Sequence, residues 1–240
     1  MNAVVVIPTY NEIENIGKLI AKLHQYTPDL HVLVVDDNSP DGTGAAVKEI
    51  MANDVRVHLM ERAGKMGLGT AYCDGFAWAL ERGYEFIMEM DADFSHDPCD
   101  VPRFLEEIKN YDLIIGSRYV TGVNVVNWPL SRLILSYCAS IYARAITGMP
   151  IKDATGGFKC FRAEFLKKID LRKIHSNGYG FQIEMNYRMW KLGARIKELS
   201  IIFIDRRSGV SKMNKGIILE AIFLVWKLKF TKIRTKEISN

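Results

Sequence analysis

Three apolar runs, each closed by a polar and mostly acidic loop, constrain this chain more than anything else in it. Residues 4–7 are β-branched with no polar alternation, the pattern of a strand buried on both faces, and Pro8-Thr9-Tyr10-Asn11-Glu12 ends the run. Ile16, Leu19, Ile20 and Leu23 then recur at helical spacing, predicting a helix over 13–24 with Asn11 as its cap. A second strand over 31–35 closes on Asp36-Asp37-Asn38-Ser39-Pro40-Asp41-Gly42-Thr43. Strand, helix, strand, with a polar loop at each carboxyl edge, is the unit of a doubly wound α/β sheet. The third run, 85–90, feeds Asp91-Ala92-Asp93, and Phe94-Ser95-His96-Asp97-Pro98 breaks any regular element after it.

Open α/β sheets bind ligands at the carboxyl ends of their strands. Two carboxylates one residue apart at that edge suit a hard divalent cation whose other positions are filled by water and phosphate oxygens. An acidic surface turn is the alternative reading of Asp-x-Asp alone.

The intervening pattern predicts helices over 45–51, 71–81, 101–109, 163–168 and 181–192, and strands over 55–59, 112–115 and 195–203. Asp153-Ala154-Thr155-Gly156-Gly157-Phe158-Lys159-Cys160-Phe161 reads as a turn into a short strand. Residues 120–128, with a glycine and two asparagines, form a candidate flap, and the apolar helix over 129–146 is expected to be buried. The glycines of Lys65-Met66-Gly67-Leu68-Gly69 match neither the P-loop nor the dinucleotide fingerprint, which excludes NAD binding and kinase-like ATP binding. Gly67 and Gly69 instead suggest a helix that begins close to a ligand, with Lys65 either facing a phosphate or solvated.

The charge sits in one place. Of the net +4, residues 212–240 contribute +5 from seven Lys/Arg and two Glu, leaving −1 on the other 211 residues. No basic face runs over the body of the chain, so a nucleic-acid partner is not expected. Residues 217–230 are apolar, and Lys227, Lys229, Lys232, Arg234 and Lys236 follow or overlap their end, a pattern suited to an anionic bilayer surface. Docking on its own domain or on a membrane-embedded partner is the alternative. No run reaches the ~18 apolar residues of a spanning helix. The four cysteines lack zinc spacing and are expected to be reduced and mostly buried, and no leader is apparent, which together imply a cytoplasmic compartment.

Eight short motifs in order resemble the inverting nucleotide-sugar glycosyltransferases of family 2, and within them the polyprenol (dolichol) phosphate mannosyltransferases. They are Pro8-Thr9-Tyr10-Asn11-Glu12, 35–43, 65–69, 90–96, Gly116-Ser117-Arg118-Tyr119, 153–158, 178–184, and Arg206 with Ser211-Lys212. The resemblance covers about residues 3–213 and implies a GT-A nucleotide-diphospho-sugar transferase fold, a Rossmann-like, mostly parallel sheet with helices on both faces. It implies a catalytic domain over 1–213, followed by a basic membrane-surface helix and tail over 214–240. It also implies transfer of mannose from GDP-mannose to a polyprenyl or dolichyl phosphate on the cytoplasmic face of a membrane, alone or with a small membrane-protein partner. Pro8, Tyr10, Glu12, Val35, Asp37, Lys65, Ala92, Arg206 and Lys212 would hold the nucleotide sugar, and Asp91 and Asp93 would hold Mg²⁺ or Mn²⁺ against its diphosphate. Arg118, Arg132 and Arg206 would gather the acceptor phosphate, with Asp153 orienting the sugar or an arginine. Two rival expectations are a transferase using UDP-glucose or another donor, and a nucleotide-sugar-binding module without turnover.

Overall fold

The computed structural model describes residues 2–205 and 215–231, with side chains described outside 215–221. Its centre is a seven-stranded sheet in the order β3-β2-β1-β4-β7-β5-β8. The strands are β1 (Ala3–Thr9), β2 (His31–Asp36), β3 (Val57–Glu61), β4 (Phe86–Glu89), β5 (Leu113–Ser117), β7 (Lys159–Arg162) and β8 (Ile196–Ser200). All neighbours run parallel except β7, which pairs antiparallel with both β4 and β5. Because β7 is reversed, its amino end lies at the same edge as the carboxyl ends of β4 and β5.

Side-chain alternation along β1 sorts the core into two layers. Val4 and Val6 face α3 (Leu68–Glu81) and α7 (Gly178–Lys191). Ala3, Val5 and Ile7 face α1 (Ile16–Tyr26), α2 (Thr43–Asn53) and α4 (Val101–Glu107). Every side chain of β2 beyond His31 is buried, as expected for a central parallel strand covered on both faces. Gly75 lets α3 lie close on the sheet, since a Cβ there would stand 2.4 Å from Val6 Cγ1.

Four expectations change. Asn11 does not cap α1. It sits in a turn at φ +60°, and Glu12 O receives the amides of Asn15 and Ile16, so the helix opens later. The expected strand over 195–203 is two: after β8 the chain crosses to pair β9 (Phe203–Ile204) with β6 (Val125–Val126) in a separate two-stranded sheet. That pairing ties down the candidate flap, which Asn124 also secures through its side chain on Ser200 Oγ and its amide on Arg118 O. Two of the four free cysteines, Cys99 and Cys138, are exposed rather than buried.

The fourth change concerns α5 (Leu130–Thr147), expected to be buried. Only Ser140, Ala143 and Thr147 are, while Leu130, Ile134, Tyr137 and Ile141 are exposed. The small residues form the packed stripe because they admit close approach, which turns the large apolar ones outward. The last helix, α8 (Lys215–Phe230), packs against α7 and α5. Val225 and Leu228 enter the core, Leu224 lies against Gly180, and Tyr142 Oη donates to Ile222 O at 3.3 Å. Its other face leaves Phe223 72%, Trp226 46% and Phe230 75% exposed. Among the described residues no helix is long and apolar enough to cross a membrane.

Candidate active site

The loops after β1 and β2 are laced together by side-chain to backbone bonds. Asp36 accepts from Thr9 Oγ1 at 2.8 Å and from the Ser39 amide and hydroxyl at 2.9 and 2.6 Å. Ser39 Oγ then accepts the Asn11 amide at 3.0 Å, and Thr43 Oγ1 accepts the Glu12 amide at 3.0 Å. Pro8, Tyr10, Glu12 and Asp37 are thus carried on one rigid double loop. Val35 differs, because its side chain lies in the core and only its main chain is left for a ligand. Lys65 stands over the Tyr10 ring, 4.6 Å from its centroid, which brings two of the expected donor residues together.

Arg62 joins this half of the site to α3. Buried, it bonds Asp37 through Nε at 2.6 Å, Thr70 Oγ1 through Nη1 at 2.8 Å and Gly67 O through Nη2 at 3.1 Å. Gly67 and Gly69 also have a structural reason. A Cβ on Gly67 would meet Asn177 Oδ1 at 2.4 Å, and one on Gly69 would meet Ser176 O at 2.3 Å, so both glycines admit the turn before α7.

Asp91, Ala92 and Asp93 follow β4 after Met90, with the carboxylates half-buried and Ala92 buried. The turn is held from several sides. The Asp91 amide donates to His96 Nδ1 at 3.3 Å, Tyr72 Oη donates to Asp91 Oδ1 at 3.3 Å, and Asp93 Oδ1 accepts the Ser95 amide at 3.1 Å. Phe94 takes φ +60°, a conformation that side chains other than Asn or Asp rarely adopt, and it turns the chain sharply back. Burial lowers the His96 pKa to about 4, so the ring is neutral and free to accept the Asp91 amide. Burial, reinforced by Asp91, raises the Tyr72 phenol well above its ordinary value, which keeps it a donor. Among the described residues no group of three or more His, Cys, Asp or Glu gathers. Among the described residues this edge offers a cation the two carboxylates of Asp91 and Asp93, a donor set that would suit Mg²⁺ or Mn²⁺ completed by phosphate and water.

On the far side of β7, Arg118 follows β5 and is buried with Asp153. Its amide and Nε reach Asp153 Oδ2 at 2.9 and 2.7 Å, and Nη2 reaches Asp153 Oδ1 at 2.6 Å and Thr155 Oγ1 at 2.8 Å. Burial by itself would raise the Asp153 pKa, but Arg118 more than offsets it and the carboxyl stays below its ordinary value. Of the two roles expected for Asp153, the structure displays the holding of an arginine. Arg118 also lies within 5.3 Å of the Tyr119 and Trp128 rings and 5.7 Å of Phe203. Arg132, in the first turn of α5, stacks on Trp128 at 4.3 Å and pairs with Asp205 at 2.7 Å. Arg206, Ser211 and Lys212 lie outside the described residues.

The acidic and arginine groups flank a common turn. Glu89 of β4 and Ile115 of β5 both register against Lys159, the first residue of β7, so Gly156-Gly157-Phe158 enters between Asp91 and Arg118. Gly156 permits this because a Cβ there would stand 2.9 Å from Gly116 O. Beneath the turn lies a buried polar group that sequence reading missed. Lys159 Nζ donates to Glu89 Oε1 at 2.9 Å and to Gln182 Oε1. Burial raises the Glu89 pKa and lowers that of Lys159. A charge at the end of each of two short apolar stretches, Glu89 closing β4 and Lys159 opening β7, was the available signal, but only the antiparallel register makes them partners.

The Glycosyl transferase family 2 signature matches residues 4–170. The chain is 48% identical over 222 residues to the undecaprenyl-phosphate mannosyltransferase of Micrococcus luteus, covering 92% of this chain and 91% of that one. It is 48% identical over 223 residues to the polyprenol monophosphomannose synthase of Mycolicibacterium smegmatis, covering 92% and 84%. Glucosyl-3-phosphoglycerate synthase from Mycobacterium tuberculosis, in complex with Mn²⁺, UDP and glucosyl-3-phosphoglycerate, shares the fold at TM-score 0.66 and 18% identity, over 93% of this chain and 80% of that one. A second structure of that enzyme, with Mg²⁺ and UDP, superposes at TM-score 0.66 and 17% identity, over 93% and 79%. The expected GT-A architecture is thus the one this sheet adopts, and the chain is a member of glycosyl transferase family 2.

Proposed function

We propose that this chain transfers mannose from GDP-mannose to a polyprenyl phosphate, with inversion at the sugar carbon, at the cytoplasmic face of a membrane. The observation that carries the reading is the placing of Asp91 and Asp93 on one side of Gly156-Gly157, and of the Arg118–Asp153 pair on the other, at one sheet edge. The near full-length likeness to two polyprenyl-phosphate mannosyltransferases supports it.

In this reaction an oxygen of the acceptor phosphate attacks the sugar carbon. The bond from that carbon to the GDP oxygen breaks, and GDP leaves with the electron pair. A phosphate monoester is already anionic near neutral pH, so the nucleophile needs no strong base, and His96 is left to hold the Asp91 turn. Asp91 and Asp93 would hold Mg²⁺ or Mn²⁺, which when bound offsets charge on the departing diphosphate. The double loop carrying Pro8, Tyr10, Glu12 and Asp37 holds the nucleoside. Arg118, Arg132 and Arg206 offset repulsion between the acceptor and donor phosphates and orient the attack.

An insoluble acceptor requires access to the bilayer. The outward faces of α5 and α8 supply an apolar surface with two phenylalanines and a tryptophan, and the basic residues that follow suit anionic headgroups. Transfer assays with GDP-mannose and UDP-glucose, each against polyprenyl phosphate in vesicles, test the reading. Mannosyl lipid formed with inversion is expected. Glucosyl transfer alone would reassign the donor, and no transfer from either would refute the proposal.

A further inference from the structure

Two buried hydrogen-bond donors at the start of α5 have no protein partner. Among the described residues, Trp128 Nε1 and Arg132 Nε are enclosed from solvent without an acceptor. They lie together, since the Arg132 guanidinium carbon is 4.3 Å from the centroid of the Trp128 ring. Both can only donate, so neither can satisfy the other. A second guanidinium, that of Arg118, stands 5.3 Å from the same ring, and Phe203 meets it edge-on at 5.3 Å. Each arginine already has a carboxylate, Asp153 for Arg118 and Asp205 for Arg132, so its orientation is fixed before any ligand arrives. Pro129 caps the amino terminus of this eighteen-residue helix, an end that favours negative charge.

We infer that Trp128 is a substrate-binding residue whose indole N–H, beside the Arg132 Nε–H, donates to an oxygen of the acceptor's phosphate monoester. The inference rests on the function proposed above and adds a residue to it. An acceptor-only group with several oxygens answers two adjacent unmade donors, as a hydroxyl or a second donor does not. Burying the indole nitrogen while leaving it unpartnered is costly in the free protein and is relieved on binding. The ring has a separate duty as the surface on which Arg132 stacks. Phenylalanine at this position preserves the stacking surface and removes the donor.

The test uses the full chain labelled with ¹⁵N-tryptophan. Its four tryptophans give four indole N–H signals, and the Trp128→Phe variant identifies one by deletion. Should that variant fail to fold, Trp78→Phe, Trp190→Phe and Trp226→Phe identify the same signal by elimination. Farnesyl phosphate is expected to shift the Trp128 signal downfield, and GDP with Mg²⁺ is expected to leave it in place. In transfer assays Trp128→Phe should raise KM for polyprenyl phosphate about tenfold, the loss of one charge-assisted bond. KM for GDP-mannose and kcat should hold, and the thermal midpoint should not fall. A signal that ignores farnesyl phosphate, one that answers only GDP, or an unchanged acceptor KM would each overturn the assignment. If the enzyme makes no mannosyl lipid yet the indole signal answers farnesyl phosphate, the anion site stands and the proposed reaction falls.

Discussion

The Arg118 guanidinium and the Asp153 carboxylate meet at two points, Nε to Oδ2 at 2.7 Å and Nη2 to Oδ1 at 2.6 Å, in a place closed to solvent. Removing one partner strands the other's charge. Asp153→Ala should therefore destabilise the protein by about 3–5 kcal/mol, whereas the loss of an exposed pair is nearly silent. Urea denaturation of the variant beside Lys48→Ala, which breaks the exposed Lys48–Glu61 pair, reads the contrast. Equal midpoints would mean that the pair is not closed in solution.

The two carboxylates of the Asp91 turn should matter to transfer far more than to folding. Asp93→Ala is expected to slow mannosyl transfer by at least a hundredfold and to leave the thermal midpoint within about 2 °C, since the side chain is half-buried and its bond to the Ser95 amide is local. Excess EDTA should stop the wild-type enzyme, and added Mn²⁺ or Mg²⁺ should restart it. Undiminished activity in EDTA would refute the cation role.

The Glu89–Lys159 pair should be strongly non-additive. Lys159→Met leaves a buried carboxylate and should cost about 3–5 kcal/mol, while Lys159→Met combined with Glu89→Leu should recover much of that loss. A double-mutant cycle by urea denaturation gives the coupling directly, and simple additivity would contradict the geometry.

Acid should weaken the fold through histidines at the opposite edge of the sheet. His31 Nδ1 and His58 Nε2 are 3.0 Å apart, and Tyr84 Oη lies 2.9 Å from His31 Nδ1. Burial lowers both pKa values below 6.5, aided by Arg56 at His31 and by His31 and Arg82 at His58, with Asp54 opposing. A depressed folded pKa means that the unfolded chain binds protons first. The stability is thus complete above about pH 6.5 and is lost as pH falls below it through the folded values. A His31→Asn, His58→Phe variant should lose less stability than wild type between pH 7.5 and 5.5, with GDP binding unchanged at neutral pH. Parallel losses would clear these histidines.

The exposed face of α8 should govern lipid contact without governing the fold. Phe223→Glu with Phe230→Glu is expected to abolish co-sedimentation with anionic vesicles, to retain GDP binding and to shift the thermal midpoint little. Wild-type binding should weaken with salt, because each basic residue near the surface contributes about 1 kcal/mol that screening removes. Vesicle binding by the variant equal to wild type would exclude this face.

Reading the sequence worked where one strand's surroundings decide its composition. The β-branched run of β1 and the fully buried β2 announce themselves because both faces are covered, and Asp91 and Asp93 were legible because a buried strand seldom ends in two charges. What failed depends on partners distant in sequence. That β7 slips antiparallel between β4 and β5, pairing Glu89 with Lys159, is a matter of register rather than composition. Arg62 looked like any loop arginine until Asp37 and Gly67 were found around it. The apolar content of α5 suggested burial, yet its small residues face the core while Ile134 and Ile141 face out. Composition gives the amount of apolar surface and not the side that is used.

The reversed strand has a consequence for how enzymes of this plan can diversify. Since β7 enters at the ligand edge through Gly156 and Gly157, these two positions place no side chain between the loops of β1, β2 and β4 and those of β5 and α5. The edge is divided into two independently editable territories separated by a nearly side-chain-free seam. On the proposed assignment, substitutions in the second territory would change the acceptor while the first, laced by Asp36 and Arg62, kept its nucleotide sugar.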